Sequence, residues 1–179
     1  EIQSGIQFYD GITTAEIQEI LIRSASDLIS LDNPNYQYVA ARLLLYAIRK
    51  SLYGRLWELP HLYDHITDCI EGDVYDSDIL VKYTREEIET LNDIIDHGRD
   101  FIFTYAGLRQ VADKYLVQDR SSGKVYETPQ FMYLLIAMTI FADYPQETRL
   151  DYVTRYYTAI SKHRINIPTP IMGGVRTPL

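Results

Sequence analysis

Two Thr-x-x-Glu quartets, Thr13 to Glu16 and Thr84 to Glu87, each stand directly ahead of apolar residues at helical spacing. In such a quartet the Thr hydroxyl accepts from the N–H three residues on, and the Glu side chain accepts from the Thr N–H. Two donors that a helix end would leave orphaned are thereby satisfied. Each quartet predicts a helix start. Other starts carry proline, whose missing N–H is harmless in a first turn. These are Asn33-Pro34, Thr128-Pro129 and Pro145. Gly54 and Gly72 read as stops. With this punctuation, and with 46% hydrophobic residues to build a core, the chain is expected to be mainly α.

Behind Thr13 the apolar positions are 17, 20, 21, 25 and 28. After Pro34, the residues Tyr36, Val39, Ala40, Leu43 and Ala47 fall on one helical face. A third helix carries Leu62, Ile66, Cys69 and Ile70, and a fourth Ile88, Leu91 and Ile95 behind Thr84. A further one runs through Tyr105, Leu108, Val111, Ala112 and Tyr115. Ser121-Ser122-Gly123-Lys124 lies between the β-prone pairs Leu116-Val117 and Val125-Tyr126 and predicts a small hairpin. A strongly apolar helix then runs from Pro129 to about Ala142, and the last from Pro145 to near Lys162. A boundary is expected around Gly54 to Pro60.

The net charge of −8 argues against a general polyanion-binding surface, since phosphate backbones need clustered Lys and Arg. It leaves room for a nucleotide in one local pocket. The 16 tyrosines are read as helix-packing residues rather than base-stacking platforms. The single cysteine, Cys69, cannot form a disulfide within the chain, and no signal-peptide pattern opens it. The apolar run from Phe131 to Ala142 is well short of the roughly 20 residues that span a bilayer. Because the first residue is Glu, the N-terminus is expected to be processed or truncated.

Several constellations could carry chemistry. His61, His65 and Cys69, spaced i, i+4 and i+8, share a ligand-like face, but successive turns of one helix suit a tetrahedral metal poorly. Glu86, Glu87, Glu89, Asp93, Asp96 and Asp100 read as a solvated helix face, and His97 as a surface or capping residue. Neither of the glycine-rich phosphate loops occurs. Lys50, in Arg49-Lys50 at a helix end, complements the helix C-terminus.

The last stretch, Ile165 to Leu179, departs from the helical pattern. Pro168 and Pro170 flank Thr169, which is expected to be extended with its hydroxyl outward. Gly173-Gly174 permits a turn or a close approach. Such a segment suits an active-site edge or a plain domain exit. A chain with acidic charge, abundant Tyr and no intrinsic site would also suit a non-catalytic helical interaction module.

The wording Pro168-Thr169-Pro170-Ile171-Met172-Gly173-Gly174-Val175-Arg176-Thr177-Pro178 closely resembles the stretch leading into the catalytic barrel of the class I ribonucleotide reductase large subunit. So do Ile6-Gln7-Phe8-Tyr9-Asp10-Gly11-Ile12, Tyr36-Gln37-Tyr38-Val39-Ala40-Ala41-Arg42, Leu62-Tyr63-Asp64-His65, Lys114-Tyr115-Leu116-Val117-Gln118 and Tyr144-Pro145-Gln146-Glu147-Thr148-Arg149-Leu150, in family order. The chain resembles an early portion of the bacterial and phage class Ia subunit. The resemblance implies the C-terminal half of an ATP-cone over 1–54, the N-terminal helical domain over 55–164, and an extended entry to an absent α/β barrel over 165–179. It implies reduction of ribonucleoside diphosphates, with ATP and dATP as effectors and no cofactor or metal held by this stretch. The implied partners are the rest of the large subunit, a di-iron radical small subunit, and thioredoxin or glutaredoxin, in the cytoplasm, with no nucleic acid and no membrane. By resemblance Thr14, Gln18 and Lys50 contact the allosteric nucleotide and Thr169 the substrate. Gln18 stands where many members have a histidine, which puts dATP inhibition in doubt.

Overall fold

The computed structural model describes residues 8–178. Ile6 and Gln7 of the first resemblance motif, and Leu179, lie outside the described residues. The elements are α1 (Thr14–Asp27), α2 (Tyr36–Tyr53), α3 (Leu62–Glu71), α4 (Asp78–Lys82), α5 (Arg85–Ile94), a 3-10 helix (His97–Ile102), α6 (Tyr105–Lys114), β1 (Gln118–Asp119), β2 (Lys124–Val125), α7 (Pro129–Phe141), α8 (Gln146–Ser161) and α9 (Thr169–Gly174). Both capping boxes form. Thr13 and Glu16 exchange bonds at the head of α1, and Thr84 and Glu87 at the head of α5.

α2 differs from expectation in two ways. It begins after Pro34, because the first bonds run from Tyr36 N to Asn33 O and from Gln37 N to Pro34 O, which is a tighter turn than an α-helix makes. Its buried set is Ala40, Ala41, Leu44, Leu45, Ile48 and Arg49, while Val39 is exposed. The helix is covered on more than one side, by α1 and by α6 with the 3-10 helix, so its apolar face is wider and rotated. Gly54 ends it in the left-handed conformation, donating to the Lys50 carbonyl.

α7 is apolar all round, as a central helix must be, and Pro129 to Met138 are all buried. α8, α9 and the 3-10 helix pack on it. The core runs from Ile22 and Leu45 through Leu62, Ile88 and Leu108 to Tyr157 and Ile160 without a break at residues 54–60. The hairpin pairs Gln118 with Val125 and Asp119 with Lys124, slightly inside the β-prone pairs, and Tyr126 N extends it by donating to Val117 O.

The tail departs from the extended form over part of its length. Residues 165–168 are non-helical, but Thr169–Gly174 is a short helix whose N-cap is Pro168. Pro170 sits in the first turn, where no amide partner is needed, and Ile171 N and Met172 N both donate to Pro168 O. The bias against α conformation ahead of a proline is overridden there.

Candidate functional site

α1 and α2 enclose a cleft of about 400 Å³ lined by Thr14, Gln18, Glu19, Lys50 and Ser51 over a floor of Ile22 and Ala47. Thr14, Gln18 and Ile22 come from successive turns of α1, and Ala47, Lys50 and Ser51 from one face of the last turns of α2. The three residues singled out on α1 and α2 therefore converge. Thr14 and Ser51 offer hydroxyls, Gln18 an amide, and Lys50 an ammonium that acts on phosphate as a point charge. Among the described residues Lys50 is the only cation lining the cleft, and Glu19 adds an anion to the same lining. The sequence reading missed Ser51 and Glu19. Each directly follows a residue named by resemblance, and adjacency along a helix gives no sign that both line the same cleft.

Thr169 is exposed at the first position of α9. Its Oγ1 lies 3.3 Å from the Tyr115 Oη at the end of α6. Beside them a cleft of about 510 Å³ is lined by residues that include Gln110, Tyr115, Tyr133, His163 and Met172.

Beneath this surface lies a fully buried polar network. Arg176 and Glu127 are wholly inaccessible and ion-paired, with Arg176 Nε donating to both Glu127 oxygens at 3.0 and 3.1 Å. Tyr75 donates to Glu127 Oε2 at 2.6 Å, and Val117 N to Oε1 at 2.8 Å. The His65 Nε2 stands 3.0 Å from the Tyr75 Oη, which assigns the proton of that ring to Nε2. Burial holds His65 down to about 4. Burial also pushes the Cys69 thiol up to about 12, with Glu127 and Asp68 adding to it.

His61, His65 and Cys69 do not share one ligand face. His61 is the N-cap of α3 and pairs with Glu89 at 2.9 Å, whereas His65 turns inward. Nor are the acidic residues all solvated. Glu87 pairs with Arg149, which lies 4.6 Å from the Tyr83 ring, and its pKa is lowered: burial opposes this, but the Arg149 and Thr84 bonds prevail. Asp100 is buried, accepting from Arg49 Nη2 and Gln130 Nε2, each at 2.9 Å, and burial pushes it up to about 6. These charges are tolerated inside because each has a cationic partner far away in sequence, which periodicity cannot reveal. His97 likewise is no surface cap. Its ring meets Phe131 edge-on, its Nδ1 is enclosed with no partner among the described residues, and burial, then Arg49, lowers it to about 4.

Among the described residues no helix is long and apolar enough to cross a membrane. Residues 101–179 match the family described as "Ribonucleotide reductase, all-alpha domain". Ninety-nine per cent of the chain is similar to the ribonucleoside-diphosphate reductase subunit alpha of Haemophilus influenzae, at 52% identity over 178 residues. It is 52% identical to the corresponding subunit 1 alpha of Escherichia coli K12 over the same share, and 47% identical to the subunit alpha of Enterobacteria phage T4. The chain spans about 23% of the length of the first two relatives and 24% of the phage subunit. The match is to the N-terminal portion of such subunits and leaves the interaction-module reading without support. The chain is thus similar over nearly its whole length to the large, or alpha, subunits of ribonucleotide reductases, and its residues 101–179 match their all-alpha domain.

Proposed function

We propose that the chain acts as the amino-terminal part of a ribonucleoside-diphosphate reductase large subunit. In that reading the subunit reduces ribonucleoside diphosphates with a radical supplied by a di-iron small subunit and electrons from thioredoxin or glutaredoxin, in the cytoplasm. The α1–α2 cleft is the part of the allosteric ATP and dATP site that this stretch supplies, and Thr169 is a substrate contact. Residues 1–54 serve as half of an ATP-cone, 55–164 as the helical domain, and 165–179 as the approach to the barrel. The observation that carries the reading is the convergence of Thr14, Gln18 and Lys50 on one cleft, in a chain alike over its length to reductase alpha subunits.

The test is a Lys50→Ala substitution in the full-length subunit, assayed with its small subunit. Since a hydrogen bond to a charged group contributes about 1.5–3 kcal/mol, ATP and dATP affinity at this site should fall by roughly ten- to a hundredfold. Effector-free turnover should not change. Unaltered ATP and dATP responses would reject the cleft.

A further inference from the structure

α9 has little holding it from within. It is six residues long, has no side-chain cap and fully buries none of its own residues, resting on the core only through the half-buried Ile171 and Met172. Its polar anchor lies just beyond its end. Arg176 is fully buried and donates from Nη1 to the Met172 carbonyl at 2.7 Å and from Nη2 to the Tyr115 carbonyl at 2.8 Å. The same guanidinium is anchored by Glu127, and the Arg176 carbonyl accepts from Asp76 N at 3.0 Å. One planar fork thus joins α9 to the end of α6. Only guanidinium offers five donors in a fixed plane, so a lysine could not serve the same acceptors together. The joined segments meet a second time at their side chains, where Tyr115 Oη lies 3.3 Å from Thr169 Oγ1 and either hydroxyl can donate. At that length the contact is a weak one, suited to selecting a rotamer.

We propose that Tyr115 and Arg176 are positioning residues for Thr169: the Arg176 fork sets the distance between α9 and α6, and the Tyr115 phenol sets the direction of the Thr169 hydroxyl. The inference rests on the substrate role proposed above for Thr169. Neither residue needs to touch substrate. A fixed hydroxyl removes the cost of immobilising it when a ligand arrives.

The test uses a full-length large subunit carrying this segment, with its radical-bearing small subunit and CDP. Thr169→Val should raise KM by roughly ten- to a hundredfold, as loss of a bond to a charged ligand does. Tyr115→Phe removes only a partly exposed hydroxyl, so its melting temperature and kcat should match the parent while KM rises by about two- to tenfold. The double variant should be no worse than Thr169→Val alone, because the phenol acts through that hydroxyl. Arg176→Lys keeps the charge facing Glu127 but loses the fork, and should raise KM as well. If Arg176→Lys fails to fold, the Tyr115 variants decide the matter. A Tyr115→Phe protein with parental KM, or a double variant whose losses multiply, overturns the positioning role while leaving Thr169 as a contact. A Thr169→Val protein with parental KM rejects the substrate role and the positioning role with it.

Discussion

At the scale of single residues, the buried titratable groups set how the protein answers acid. His65 and His97 are both held at about 4 by burial, against an ordinary value of 6.5. Between those values the unfolded chain binds protons that the folded chain refuses. Their contribution to stability is therefore complete above pH 6.5 and is lost as pH falls towards 4. Each is worth up to about 3 kcal/mol by proton linkage. Asp100 acts in the opposite sense. Raised from 3.8 to about 6, it favours the folded state below pH 3.8 and loses that contribution as pH rises to 6, so it offsets roughly one histidine. The net expectation is a loss of stability on acidification from pH 6.5 to 4. His97→Phe should keep the edge contact with Phe131 and remove the enclosed, unpartnered Nδ1. Urea unfolding across this window should show its pH slope reduced by up to about 1.4 kcal/mol per pH unit, the equivalent of one proton. An unchanged slope would mean that His97 titrates normally in the folded protein.

At the scale of elements, most helices legible in sequence carry a local device at one end, while α3 and α6 were legible chiefly from apolar spacing. α1 and α5 have capping boxes, α7 and α8 begin beside prolines, and α2 ends in a left-handed glycine. α4 and the 3-10 helix were not foreseen, being too short to show a period; the latter is opened by the Asp96 side chain accepting from Gly98 N. Thr14, Gln18 and Lys50 of the α1–α2 cleft were named through the family resemblance and not through spacing, and the Arg176–Glu127 pair has no local trace at all. Gln18 belongs to this scale, since its effect depends on the pairing of two helices. In a full-length subunit, Gln18→His would set an imidazole in a cleft where, among the described residues, Lys50 is the only cation. Inhibition by dATP should then become stronger, seen as a lower dATP concentration for half-inhibition of CDP reduction. An unmoved inhibition curve would show that position 18 does not face the nucleotide.

At the scale of the whole molecule, the fold gathers chemistry at its surface without completing any. The core is continuous from α1 to α8, and the buried Arg176 ties the tail to α6 and to the loop ahead of α4. Thr169 is thereby presented at a fixed edge, yet the substrate contact proposed for it could not by itself reduce a ribose. Radical reduction needs a thiyl-forming cysteine and a dithiol pair, and the sequence holds one cysteine. Cys69 is buried, its thiol is pushed up to about 12, and thiolate is the reactive form, so it is inert at neutral pH as well as single. The 179-residue chain alone should therefore convert no CDP to dCDP, even with dithiothreitol and a competent small subunit. Turnover should appear only when the cysteine-bearing remainder of a large subunit is supplied. Cys69→Ser within a complete large subunit should leave turnover intact, because nothing in the reaction is asked of that thiol. Dithiothreitol-dependent dCDP formation by the isolated chain, abolished by Cys69→Ser, would refute this assignment, because it would require a single buried thiol to do the work of three.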